Sequence, residues 1–178
     1  SNTTVTVNTK FTFDPGPQDS PFETPQLIGL GGNFTLKGSL KFQTFEITYL
    51  NAGASFGLLE NYISSGARVK VQGFEGMGGV FLGRACTLDF MPWDPDVQSV
   101  LGQPPFTGGY FYAEVWVPIS QVWWGIPKSC LFQVSAGLGT GMGYFAEGPT
   151  FIGKMFLGLT GEALCVVTFK ANITMIGK

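Results

Sequence analysis

The chain contains no histidine and very little charge. Its 178 residues include 10 Lys and Arg against 12 Asp and Glu, so that charged residues make up 12% of the sequence and the net charge is −2, against a usual charged share of about 25%. Without histidine, Ser-His-Asp and Cys-His catalysis are excluded, and the commonest general base and zinc ligand are missing. The only arginines are Arg68 and Arg84, so the sequence offers no basic stripe for phosphates. We therefore expect neither an enzyme nor a nucleic-acid-binding protein.

Cysteine is also scarce, and no membrane-length apolar run is present. Cys86, Cys130 and Cys165 each fall in the apolar register of their segment, which is typical of buried free thiols; a disulfide between two of them remains an alternative. No Cys-x-x-Cys spacing is present, so we expect no zinc site, no other metal and no cofactor. No stretch reaches the roughly 18 consecutive apolar residues of a transmembrane helix.

What the sequence does contain is alternation of apolar and polar residues. Val5, Val7, Phe11 and Phe13 alternate with threonine, asparagine and lysine over residues 4–13, which is the pattern of a half-buried strand. Similar segments recur along the chain, separated by glycine and proline. They predict one all-β domain over residues 1–178, a sandwich or barrel of about nine to eleven mainly antiparallel strands.

Two proline-rich loops and one helix interrupt this pattern. The loops are predicted at 14–25 and 91–108, the second enclosing a short helix near 94–101. Asp94 is a suitable N-cap, Pro95 suits the first helical position, and Gly102 suits the end. Calcium binding by Asp89, Asp94 and Asp96 is the less favoured interpretation, because their spacing misses the EF-hand pattern.

Turns are predicted from local composition at several further places. Residues 51–53 (Asn-Ala-Gly) and 64–66 (Ser-Ser-Gly) have turn composition. The apolar phase reverses at 43–44 (Gln-Thr), which predicts a β-bulge or a bend between sheets.

Glycine occupies every second position from 137 to 143. In a strand these four glycines share one face, and a bare glycine face favours close approach of a backbone, a ring or a ligand. We expect aromatic rings to cover them. The near-match to a phosphate loop at 148–155 ends in Met155 and precedes no helix, so we do not expect nucleotide binding.

Aromatic residues provide the candidate sites. Tyr110, Tyr112, Glu114 and Trp116 alternate on one strand face, where rings and a carboxylate suit a sugar or an apolar ligand; core packing is the competing interpretation. Trp123 and Trp124 lie at a predicted turn and are a candidate interaction patch.

The sequence favours a non-catalytic structural or protein-interaction domain, a module of a larger surface or assembly protein. The alternatives are a β-barrel or sandwich that binds an apolar ligand or carbohydrate, and an outer-membrane β-barrel. We expect other protein chains as partners, including copies of this chain, and neither a nucleic acid nor a membrane. An extracytoplasmic or cell-surface location is favoured.

Overall fold

The computed structural model describes residues 3–14, 25–119, 132–146, 150–163 and 167–178. Nine strands form one antiparallel sheet in which every strand pairs with the next along the chain. Their bounds are β1 Thr4–Asp14, β2 Gln26–Lys41, β3 Glu46–Gly57, β4 Asn61–Val71, β5 Phe74–Ala85, β6 Phe106–Pro118, β7 Phe132–Phe145, β8 Thr150–Ala163 and β9 Val167–Gly177. The predicted all-β fold is confirmed, and its nine strands belong to a single open sheet.

The predicted helix is also confirmed. Helix α1 spans Pro95–Leu101, and the carboxylate of Asp94 accepts a hydrogen bond from the backbone N–H of Val97. Gly102 follows the helix with a φ of 90°, a conformation that glycine adopts without strain. A short 3₁₀ turn at Leu88–Phe90 precedes the helix. Of the predicted proline-rich loops, residues 15–24 lie outside the described part of the chain, and the second ends at Phe106, where β6 begins.

Two predicted turns and one predicted bulge or bend are wrong. Residues 51–53 lie inside β3 and residues 64–66 lie inside β4, because their small and polar side chains fit close packing in the sheet rather than a turn. The phase reversal at 43–44 is the turn between β2 and β3 rather than a bulge or a bend between sheets. The register shifts of the sheet lie elsewhere, at Thr12/Phe13, Lys37/Leu40 and Ile47/Tyr49.

The sheet has two very different faces. The helical segment, residues 86–105 between β5 and β6, carries α1 and packs on the face of the sheet that bears Tyr110. We call this face the inner face and the opposite one the outer face. The core lies between that segment and the inner face, and it includes Phe81, Phe90, Trp93 and Phe145. Residues from β4 and β9, five strands apart, line one cavity on the inner face. This shows that the sheet is curved around the core.

The described residues include no helix with the length and apolar character needed to cross a bilayer.

Candidate functional site

The four alternating glycines of β7, at 137, 139, 141 and 143, lie on the inner face beside the aromatic residues of the neighbouring strand β6. Gly137 pairs with Trp116, Gly139 with Glu114, Gly141 with Tyr112 and Gly143 with Tyr110. Residues that pair across two strands share a face, so the spacing of two brought the predicted set together as expected.

Aromatic side chains cover these glycines, which confirms the prediction. A Cβ placed on Gly137 would lie 2.6 Å from the Trp116 ring, and one on Gly141 would lie 2.5 Å from the Tyr110 hydroxyl. Gly158 of β8 is covered by the same indole, with a Cβ distance of 2.4 Å. Any side chain at these positions would displace a ring, so glycine is required for the packing.

A buried ion pair fastens the helical segment to the sheet. The Nζ atom of Lys154 in β8 donates to Asp94 Oδ1 at 2.6 Å and to Asp96 Oδ2 at 3.2 Å. Tyr110 Oη donates to the other Asp94 oxygen at 2.7 Å, and Lys154 Nζ lies 4.4 Å from the centre of the Tyr112 ring. Asp94 and Lys154 are both buried, so each charge depends on the other for compensation.

Trp93 provides a second attachment next to this pair. Its indole N–H donates to Ser64 Oγ at 3.0 Å, and its ring stacks on Tyr110 with 6.0 Å between centroids. The ring lies against Gly66 and Gly79, where an added Cβ would come within 2.4 Å and 2.3 Å. The Ser-Ser-Gly sequence of β4 therefore belongs to the packing site of Trp93: Ser64 accepts its N–H, and Gly66 leaves room for its ring.

At the other end of β6, a cavity of about 370 Å³ remains open on the inner face. Glu114 and Trp116 line it together with Arg68, Phe156 and Lys170. Within it, Glu114 accepts hydrogen bonds from the hydroxyl of Tyr112 and from the indole N–H of Trp116.

The outer face of the sheet is apolar and largely exposed. Val7, Leu138 and Ile173 are 66%, 57% and 64% exposed. Every strand contributes at least one such exposed residue: Val7, Leu30, Phe56, Ile63, Leu82, Phe111, Leu138, Leu157 and Ile173. Exposed apolar surface that continues across a whole sheet is unusual for a soluble monomer.

Charge is almost absent from this outer face. In the regularly paired parts of the described strands, Arg84 is the only charged residue in the outward register, and it lies next to the end of β5. The charged residues of β4 and β9 face inward: Arg68, Lys70 and Lys170. The charged side chains of the described strands therefore lie almost entirely on the inner face, and the outer face presents apolar side chains to the surroundings.

The predicted site residues divide into two groups. Tyr110 and Tyr112 are buried in the core, whereas Glu114 and Trp116 are partly exposed at the cavity. Trp123 and Trp124 lie outside the described residues, as do Cys130 and Cys165, while Cys86 is a free thiol. Among the described residues, no three His, Cys, Asp or Glu side chains are grouped as metal ligands.

Sequence reasoning missed Lys154, Lys170 and the outer face. In the sequence, Lys154 stands out only as part of the near-match to a phosphate loop at 148–155. The signal that would have found it is its register: Lys154 shares its face with the apolar Ile152 and Phe156, and a lysine in an apolar register requires a buried partner.

Comparison with known proteins adds nothing to this geometry: no family model, no curated protein and no solved structure matches the chain.

Proposed function

We propose that this chain is a non-catalytic, membrane-embedded β-sheet domain, in which the outer face contacts lipid hydrocarbon and the inner face encloses a polar interior. The observation that carries the proposal is the continuous apolar outer face, on which the regularly paired parts of the described strands place one charged residue, Arg84, near a strand end. This ranks the outer-membrane alternative above the structural or protein-interaction domain that the sequence favoured.

Strand length supports this assignment. A transmembrane β-strand needs about 9–11 residues when it is tilted, and the strands of this sheet have between 11 and 16. Such strands alternate apolar residues towards lipid with polar residues towards the interior. Strand β9 has this pattern: Phe169, Ile173 and Met175 face outward, and Lys170 and Asn172 face inward.

Outward aromatic residues lie near both ends of the sheet. Phe11, Phe56, Tyr144 and Phe151 lie towards the strand ends on the side where the helical segment enters, with Arg84 at the same level, and Phe74 and Phe169 lie towards the other end. Aromatic girdles mark the interfaces of membrane barrels, and a charged side chain is tolerated there because it reaches the headgroups.

A matched pair of arginine substitutions tests the proposal. Leu157 lies in the middle of β8 and faces outward, whereas Asn172 lies in the adjacent row of β9 and faces inward. Leu157→Arg places a charge in hydrocarbon at a cost of about 2–4 kcal/mol, whereas Asn172→Arg adds a charge to a polar interior. The measurement is the fraction of protein that floats with phosphatidylcholine vesicles after a urea wash.

We expect flotation for the wild-type chain and for Asn172→Arg, and a marked loss for Leu157→Arg. Equal flotation of the two variants would contradict the proposal. A folded monomer or a discrete oligomer in buffer without detergent would also contradict it, and the oligomer would support the interaction module instead.

A further inference from the structure

The open cavity at the Trp116 end of the inner face has the size of a small-molecule site. Its volume of about 370 Å³ falls within the range of about 300–1,000 Å³ that is typical of ligand pockets. It is lined by residues from the six strands β4 to β9, including Arg68, Glu114, Trp116, Phe156 and Lys170. What it can bind depends on which of these groups are still available.

Both carboxylates of the cavity are already engaged. Glu114 accepts hydrogen bonds from Tyr112 and Trp116, one on each oxygen. Glu75 forms ion pairs with Arg68 at 3.3 Å through one oxygen and with Lys70 at 3.5 Å through the other. Each carboxylate oxygen already faces one donor of the protein, which leaves these groups fewer free acceptor positions for the hydroxyls of a sugar.

The cations of the cavity are less fully used. Lys170 is exposed and makes no hydrogen bond or ion pair within the described residues, although its ammonium carries three donors. Among the described residues, the second terminal nitrogen of Arg68 has the Met77 sulfur as its one partner, at 3.3 Å, and a thioether is a weak acceptor. The polar groups of the cavity that remain most available to a ligand are therefore cationic donors, which suit an anionic acceptor.

Beside these cations, Trp116 and Phe156 form an apolar wall. Their ring centroids lie 5.5 Å apart at an interplanar angle of 59°, and the Trp116 ring is held against Gly137 and Gly158. Since its N–H is engaged by Glu114, the indole offers a ligand only its apolar surface. Such a wall suits a planar ring, because offset or edge-on aromatic contacts add to the area that is buried.

We propose that this cavity binds a small aromatic carboxylate, with the carboxylate at Lys170 and Arg68 and the ring against Trp116 and Phe156. The proposal does not depend on the lipid contact of the outer face.

Benzoate is the probe, and benzyl alcohol is its uncharged counterpart with the same ring. Titration calorimetry on the folded chain is expected to give saturable benzoate binding and about tenfold weaker binding of benzyl alcohol, since a hydrogen bond to a charged group contributes about 1.5–3 kcal/mol. Lys170→Met is expected to weaken benzoate binding by a similar factor. Lys37→Met, which removes an exposed lysine from β2 away from the cavity, is the control and should bind as the wild-type chain does.

Three results would overturn the proposal: no saturable binding of benzoate, equal binding of benzoate and benzyl alcohol, or unchanged benzoate binding by Lys170→Met. Because Lys170 is exposed, this variant should keep the wild-type near-UV circular dichroism spectrum, which separates loss of the site from loss of the fold.

Discussion

The ammonium of Lys154 and the carboxylate of Asp94 lie 2.6 Å apart in the core, although the two residues are 60 positions apart in the chain. The pair joins β8 to the segment before α1, so it fixes where the helical segment sits on the inner face. Tyr110 donates to the same carboxylate, which leaves Asp94 fully compensated only while both partners are present.

Removal of Lys154 should therefore destabilise the protein strongly. Lys154→Met leaves Asp94 buried without its counter-charge, and breaking such a pair costs about 3–5 kcal/mol. The free energy of unfolding, from urea titration in the detergent or lipid in which the chain folds, measures the effect. Lys70→Met is the control: Lys70 is half-exposed and pairs with Glu75, so its loss should cost about 0–1 kcal/mol. Similar losses for both variants would show that the buried pair is not what holds the segment.

The packing site of Trp93 should be equally sensitive to an added side chain at its glycines. In Gly79→Ala the new methyl group would lie 2.3 Å from the indole, so the ring must move, at a cost of about 1–3 kcal/mol. We expect a lower unfolding free energy and an altered near-UV circular dichroism signal.

Gly76→Ala is the matched control on the same strand. A Cβ there would meet only the Glu114 carbonyl oxygen, at 3.9 Å, so alanine should be neutral or slightly stabilising in a strand. An unaltered aromatic signal in Gly79→Ala would mean that Trp93 does not pack on this glycine.

The strands, and the packing of aromatic rings on the β7 glycines, could be predicted because both depend on a period of two. Gly137 to Gly143 and Tyr110 to Trp116 share the spacing of a strand, and rings are the common way to cover a bare glycine face. Asp94, Pro95 and Gly102 predicted the helix in the same local way.

Which face of each strand is buried could not be predicted in that way. In β6 one face carries Tyr110, Tyr112 and Trp116, and the other carries Phe111 and Val115, so both are apolar enough to be core. The choice depends on where the segment before β6 packs, and this is a contact between distant parts of the chain. The same limit explains the wrong turn at 64–66, since the reason for Gly66 is the Trp93 ring.

The two edges of the sheet give the last prediction. Strands β1 and β9 each pair with one neighbour only in the described part of the chain. In hydrocarbon an unpaired backbone N–H or C=O costs several kcal/mol, because no water is present to bond with it. If the outer face contacts lipid, the free edges of β1 and β9 must therefore acquire strand partners in the membrane.

Hydrogen exchange of backbone amides can detect that pairing. In phosphatidylcholine vesicles we expect the amides of β1 and β9 to become protected by about 100-fold or more, equivalent to about 2.8 kcal/mol of opening free energy. The central strands β5 and β6, which are paired on both sides, serve as the internal reference. Fast exchange at β1 and β9 beside protected β5 and β6 in the same vesicles would mean that the edges remain in water, which is incompatible with a sheet that crosses the bilayer along its whole width.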